Sequence, residues 1–333
     1  MKREMRYLET GSVDPYYNLA LEEYVLRHRT KGDYLLLWQN DNTIVVGQNQ
    51  NTQAEINQAF VDTNHIHVVR RTTGGGAVYH DLGNINYSFI TDTGDLQAFS
   101  MSRFTEPIVD ALRGLGLECE ASGRNDILVE GRKVSGTAQR ILGGRILHHG
   151  TLLFDSNPAV IAKALQVDPT KFQGKASQSV RSRVGNIREY LKKDMTIQEF
   201  WKYLKGELMK DGMTIDTLSD AEIEQIRDLR KTKYATRQWN YGQSPKFTFC
   251  NKKRFTGGSL EVYAAVHEGT IQKITFFGDF LSRSDLTPIT DRLIGCEYSR
   301  EAVFLALYES ELENYFGTIS LEEILDTMFC STE

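Results

Sequence analysis

The sequence predicts an α+β protein built in two parts, residues 1–245 and residues 246–333. In the larger part, short apolar runs of strand length interleave with longer segments whose apolar residues recur at helical spacing. From Lys246 the texture changes to alternating segments followed by helical patterns, the order of a small antiparallel sheet with helices packed on it. A chain of 333 residues is also long for a single hydrophobic core.

Composition narrows the functional classes. Apolar residues make up 40% and charged residues 25%, ordinary values for a globular enzyme. A formal charge of −5 argues against general nucleic-acid binding, which needs a positive surface excess, and leaves room only for a local basic patch. Cys119, Cys250, Cys296 and Cys330 show no CxxC spacing, so neither a zinc site nor a disulfide framework is expected, and the thiols should be reduced and buried. The first residues lack an apolar signal segment, and nowhere do eighteen apolar residues run together. The expectation is a cytoplasmic monomer that binds neither membrane nor nucleic acid.

In chain order, a short strand at residues 5–8 precedes Asp14 and Pro15, which supply a cap and a first-turn proline for an amphipathic helix reaching Arg29. Glu22 and Glu23 within it read as solvated helix surface. Residues 34–38 and 43–47 are continuous apolar runs joined by a polar turn, two buried strands. The polar stretch 47–51 that follows fits both a ligand-facing strand end and a plain surface loop. A helix over 54–63 and a strand over 67–71 come next, and Ile85, Tyr87 and Phe89 alternate as a further strand.

Phe104, Ile108, Leu112 and Leu115 mark a helix over 101–115 whose apolar stripe belongs to the core. A hairpin turns at Glu130 and Gly131, a strand covers 148–154, and helices are expected over 157–165, from Thr196, and over 219–231. Residues 171–183 form a basic, polar loop, and 239–245 a turn-rich boundary. In the smaller part, strands at 247–249, 260–266 and 271–277 precede helices over 285–294, 300–312 and 321–328.

Two stretches carry the chemistry. The first, residues 70–84, reads Arg-Arg-Thr-Thr-Gly-Gly-Gly-Ala-Val-Tyr-His-Asp-Leu-Gly-Asn. Glycine backbone can approach a ligand closely, and the neighbouring arginines offer forks for carboxylate or phosphate oxygens. Neither GxGxxG opening a helix nor a Walker pattern is present, so an anion site here is of another kind. The second stretch, residues 122–139, places Lys133 before Ser135, Gly136, Thr137 and Ala138, small residues that leave room for a ligand beside a cation. Asp126 fits both a magnesium ligand and a turn residue, and His148 and His149 fit both a base and polar strand positions.

Both stretches resemble those of the lipoate-protein ligase A family of the biotin/lipoate ligase superfamily. The resemblance extends to Asn18-Leu19-Ala20, Glu22-Glu23, the segment from His148 to Leu153, residues 179–184 and the segment from Trp239 to Gly242. It implies a large mixed sheet flanked by helices, the biotin/lipoate ligase-like fold, with a small α+β accessory domain at the C-terminus. It also implies a two-step reaction in which lipoate attacks the α-phosphate of ATP, giving lipoyl-AMP and pyrophosphate, and a lysine of an acceptor protein then takes the lipoyl group. Magnesium accompanies ATP, and no permanently bound cofactor is expected. The implied acceptors are apo lipoyl domains of 2-oxo acid dehydrogenase E2 subunits or the glycine-cleavage H protein.

By this resemblance Lys133 touches both substrates. The nucleotide-binding set is Arg71, Gly75, Gly76, Ala77, Val78, Tyr79, Asn84 and Asp126. The lipoate-binding set is Leu19, Val46, Gly47, Arg70, Gly75, Ser135, Gly136, Ala138 and His149. Joining two anions requires charge neutralisation, which a lysine beside an arginine-flanked glycine loop supplies. The basic loop 171–183 is expected to cover the site. The competing readings are an octanoyl- or lipoyl-transferase, which forms a thioester on an active-site cysteine, and a non-catalytic lipoate or nucleotide sensor. No cysteine lies between Lys133 and Phe154.

Overall fold

The computed structural model describes residues 5–93, 102–122, 125–165, 184–210, 212–241, 249–267 and 269–329. The basic loop expected over 171–183 lies outside them, as do Gly123, Arg124, Cys330 and residues 242–248. Among the described residues, no helix is long and apolar enough to cross a membrane.

The larger part opens with β1 (Met5–Glu9), α1 (Pro15–His28), β2 (Asp33–Trp38) and β3 (Thr43–Val46). Asp14 caps α1 by accepting from the Tyr16 and Tyr17 amides, with Pro15 in the first turn, as the sequence pattern indicates. Two short helices, α2 (Thr52–Glu55) and α3 (Gln58–Thr63), replace the single expected one, because Ile56 turns extended and bridges to Leu165. Then come β4 (His67–Arg70), β5 (Val78–His80), β6 (Asn84–Asp92) and α4 (Ser102–Gly114). They are followed by β7 (Cys119–Ser122), β8 (Asp126–Val129), β9 (Arg132–Leu142), β10 (Arg145–Leu153), α5 (Pro158–Ala164) and β11 (Thr214–Ile215). Glu130 and Gly131, with φ of 49° and 75°, make the tight turn between β8 and β9.

Eight strands form one sheet in the order β11-β1-β2-β6-β10-β9-β8-β7, parallel at β11-β1-β2 and antiparallel elsewhere. Although joined by a polar turn, β2 and β3 do not share a sheet; β3 lies between β4 and β5 in a separate three-stranded one. The large sheet has helices on both faces, which is why β2 is buried along its whole length and reads as a continuous apolar run. One face packs Leu35, Leu37, Tyr87 and Phe89 with Phe104 and Ile108 of α4 and with Phe200 and Leu204 of the helix Ile197–Met209. The other packs Leu36, Trp38, Ile90 and Leu147 against Leu19, Leu21 and Val25 of α1. Phe154 and Phe200 stack at 4.6 Å; burying a side chain of this size contributes roughly 1.5–3 kcal/mol.

The smaller part is an antiparallel meander, β12 (Phe249–Phe255), β13 (Gly258–His267) and β14 (Thr270–Gly278). Helices Thr287–Leu293, Arg300–Leu307, Leu312–Phe316 and Leu321–Phe329 join it in a core of its own, with Phe280 and Phe316 at the centre. Cys250 on this sheet is exposed rather than buried, while Cys119 is buried; both are free thiols.

The segment after β14 clasps the glycine stretch. The Gly75 amide donates to Phe280 O (3.0 Å), Gly278 N to Asn49 O (2.6 Å) and Ile141 N to Arg283 O (2.7 Å). Asn49 Nδ2 donates to Ser282 Oγ (2.8 Å), and Gln48 Nε2 to Asp285 Oδ2 (2.8 Å). A Cβ on Gly74 would stand 2.6 Å from Ser282 N and 2.7 Å from Phe280 O, so this glycine is required by the clasp. Gly74→Ala should therefore loosen it, with the Gly75 and Gly278 amides exchanging about tenfold faster or more by hydrogen-exchange mass spectrometry. Unchanged protection at both amides would contradict this.

Inside the large core, His148 stacks on Phe104 at 4.9 Å with Nδ1 3.0 Å from Gln139 Nε2. Burial, with His149 as a lesser cause, lowers its pKa from 6.5 to about 3. The folded value lies below the unfolded one, so the unfolded chain takes up the proton first and stability drops as pH falls from about 6.5 towards 3. His148→Leu should flatten the acid limb of melting temperature against pH between 6.5 and 4.5 relative to wild type.

Candidate functional site

The glycine stretch and the β8–β9 hairpin face each other across a cleft. Of the residues singled out from the sequence, Leu19, Arg71, Gly75, Gly76, Ala77, Val78, Lys133, Gly136, Ala138 and His149 line it. Trp38, Val45, His80, Asn86, Asn125, Thr137, Gly150 and Thr151 complete the lining. Strand register orders the cleft. Trp38 pairs with Asn86, Asn86 with Thr151, and Gly136 with Asp126, while the Gly136 amide donates to Thr151 Oγ1 (3.2 Å). These residues make a row across β2, β6, β10, β9 and β8 on one face of the sheet. Lys133 stands at the outer end of the row, and buried Trp38 and Asn86 stand at the inner end.

Lys133 Nζ lies 2.6 Å from Asp126 Oδ1, with both side chains about one-third exposed. A Cβ on Gly136 would come 3.2 Å from Lys133 Cε and Nζ, so glycine there lets the lysine lie across the strand. Asp126 therefore meets Lys133 rather than a group of metal ligands. Among the described residues, no cluster of three or more His, Cys, Asp or Glu side chains could hold an ion.

The two adjacent arginines do different work. Arg70 does not reach the cleft. Its guanidinium donates to the Gly47, Gln48 and Gln50 carbonyls and to Thr52 Oγ1, and Trp239 and Asn240 bracket it. It is a buried clamp on the loop 47–50, and Trp239 and Asn240 serve to hold it. Arg71 lines the cleft and holds the glycine loop in shape, donating to Gly74 O (2.6 Å), Gly76 O (2.9 Å) and Thr73 Oγ1 (2.9 Å). Burial lowers each arginine to about 10, well above neutrality, so both remain cations.

Arg71 also begins a buried chain. Thr73 Oγ1 lies 2.8 Å from His149 Nε2, and His149 Nδ1 lies 2.8 Å from Glu22 Oε1. Ser88 Oγ donates to the same carboxylate (2.6 Å) and accepts from Trp38 Nε1 (2.9 Å). Every donor in the chain is matched when the His149 proton sits on Nδ1. Glu22 and Glu23 are thus buried, not solvated. Glu23 ties Arg27, Lys233 and Tyr234 together at 2.6–2.7 Å. Their signal in the sequence was their place among Leu19, Leu21, Val25 and Leu26, on a helix covered on most sides.

Five other expected residues sit beside the cleft. Val46 is in the core of the small three-stranded sheet. Gly47 lets the glycine loop approach, since a Cβ there would meet Gly75 O at 2.0 Å. Tyr79 points away, because Val78 and His80 take the cleft side of β5, and it donates to Asn42 Oδ1 (3.0 Å). Ser135 is buried on the opposite face of β9 from Gly136. Asn84 donates to Asn86 Oδ1 (3.0 Å) without lining the cleft. Asn86, which was missed, had a signal: Asn84, Asn86 and Ser88 put polar groups on alternate positions of a strand buried from Asn84 to Thr91, while His80 stood inside the glycine stretch without being assigned a role.

Comparison with known proteins identifies relatives along the whole chain. Residues 14–209 match the family described as lipoyl protein ligase A/B catalytic domain, and residues 244–328 match the bacterial lipoate protein ligase C-terminus. Lipoate-protein ligase LplJ of Bacillus subtilis is 44% identical, over 98% of this chain and 100% of that protein. The structure of P. falciparum LipL1 in complex with lipoate superposes with a TM-score of 0.80 at 26% identity, covering 97% of this chain and 98% of the other. The bipartite lipoate protein ligase of Thermoplasma acidophilum, described with its E2 lipoyl domain, gives 0.64 at 30% identity over 75% and 100%. Lipoate-protein ligase A bound with ATP gives 0.62 at 27% identity over 73% and 99%. The two family matches, the full-length likeness to LplJ and the shared fold together place the chain in the lipoate-protein ligase family.

Proposed function

We propose that this ligase is ATP-dependent and works in two steps in the cleft between Lys133 and the glycine loop. A lipoate carboxylate oxygen bonds to the α-phosphorus of ATP and pyrophosphate leaves. The ε-amine of an acceptor lysine then bonds to the lipoyl carbonyl carbon, AMP leaves, and the amine's proton passes to solvent. The observation that carries this reading is Lys133, about one-third exposed at the mouth of a slot whose opposite wall is a glycine loop locked by Arg71. Two anions meet at that mouth, and a fixed cation there stabilises the charge that develops at phosphorus.

Bound relatives support the substrate choice: lipoate in LipL1 and ATP in lipoate-protein ligase A. Magnesium would arrive on the nucleotide phosphates, with Asp126, the ion-pair partner of Lys133, as a carboxylate beside it. The acceptors that fit are apo lipoyl domains, in keeping with the Thermoplasma ligase described with its E2 lipoyl domain, and the glycine-cleavage H protein. No side-chain nucleophile is needed, because the adenylate itself is the activated acyl group.

The transferase alternative needs a reactive thiol in the cleft. Among the described residues no cysteine lines it, and burial pushes the Cys119 thiol up to about 11, away from the reactive thiolate. Incubating the protein with lipoate, MgATP and an apo lipoyl domain should yield pyrophosphate and modified domain; modification that proceeds equally from an acyl carrier donor without ATP would sink this reading. Lys133→Ala should lower adenylate formation about 10²- to 10³-fold while melting temperature stays near wild type, the lysine being partly exposed. A pure sensor would make no adenylate in either form.

A further inference from the structure

The inner end of the acyl slot presents a hydrogen-bond donor with no protein partner. His80, Asn86, Trp38, Val45 and Leu19 form that end, and His80 and Asn86 are 3% and 1% exposed. His80 Nε2 is buried and unpaired among the described residues. A chain of amides fixes which ring nitrogen carries the proton. Asn18 Nδ2 faces the backbone oxygens of Ser12 (3.1 Å) and Gln39 (2.6 Å), so it must be the amide nitrogen, and the Asn40 atom 2.9 Å from it, which shares its two hydrogens with those carbonyls, must be the oxygen Oδ1. Asn40 therefore turns its own Nδ2 to His80 Nδ1 (3.2 Å), which makes Nδ1 an acceptor and leaves the hydrogen on Nε2. Burial first, then Arg71 and His149, lower the His80 pKa to about 3, so the ring is neutral in the working range.

Such a donor wants an acceptor at a defined depth. Gly136, beside Lys133, and Asn86 are two strand spacings apart, about 10 Å, the scale of a medium-chain acyl group. With the carboxylate at Lys133, the far end of the acyl group meets His80. We propose that His80 is a specificity-determining residue whose Nε2–H donates to a sulfur of the lipoate dithiolane ring, so that the slot selects a dithiolane acid over a plain alkyl acid of the same length. The proposal rests on the ligase reading above and deepens it. An alkyl tail leaves the donor buried and unpaired, the situation in which a polar site rejects an analogue lacking the matching group. Sulfur is a weak acceptor, so the discrimination should be about five- to tenfold.

The test compares lipoate with octanoate in wild type, His80→Leu and Asn40→Asp. The second variant keeps the imidazole but sets a carboxylate against Nδ1, drawing the proton there and turning Nε2 into an acceptor. In both variants the lipoate-over-octanoate ratio of kcat/KM for pyrophosphate release should fall about five- to tenfold. In wild type, nitrogen-15 NMR should show the Nε2–H tautomer of His80, with the Nε2–H signal moved by lipoate and left in place by octanoate. A ratio within about twofold of wild type in a folded variant, an Nδ1–H tautomer in wild type, or a signal that ignores lipoate overturns the proposal. Wild type that releases no pyrophosphate with either acid refutes the ligase reading instead, and calorimetric binding of the two acids then decides the role of His80 by the same ratio.

Discussion

Arg71 is a cation sealed inside the protein, and the shape of the site depends on how that charge is accommodated. Its own loop supplies the carbonyls of Gly74 and Gly76, and Thr73 and His149 lead from it to the carboxylate of Glu22 on α1. A buried charge without such partners would cost several kcal/mol. The interaction runs both ways: the loop takes its form because its oxygens must face the guanidinium, and the helix is held against the sheet because its carboxylate must meet the histidine. Trp38 joins through Ser88, so the inner wall of the slot is tied to the same chain.

Around this chain the polar interior divides into separate tasks. Arg70 serves the backbone of the loop 47–50, Glu23 joins α1 to Lys233 and Tyr234, and Asn18 and Asn40 orient His80. Each network is built from fixed protein groups, and in the last of them Asn18 Oδ1 and His80 Nε2 have no partner among the described residues. His149 and His80, both in one cleft, carry opposite tautomers because one faces a carboxylate and the other an amide nitrogen.

Much of the architecture was legible because it is written in local terms. Caps, turns and apolar periodicity placed α1, the β8–β9 hairpin, β13 and β14 within a residue or two, whereas the strand expected at 247–249 shares only Phe249 with β12, which runs on to Phe255. The lysine and the glycine loop stood out by composition. What escaped needed three dimensions. Glu22 and Glu23 look like surface on any helical wheel until the elements packed around α1 are known. The division of labour between Arg70 and Arg71 is set by strand alternation at the end of β4, and the separation of β2 from β3 depends on a non-local choice of partners. Asn86 gained meaning only when register laid it beside Trp38, and His80 only when the packing of the two sheets brought its ring to the same tryptophan.

The clasp between the two parts consists largely of main-chain groups: Gly75 to Phe280, Gly278 to Asn49 and Ile141 to Arg283. Peptide groups are the same whatever side chains accompany them. The smaller part can therefore diverge widely in sequence while keeping its grip, so long as Gly74 remains bare and the segment after β14 keeps its path. Covalent continuity is not what joins the two surfaces, and the same fit is open to two polypeptides made from separate messages.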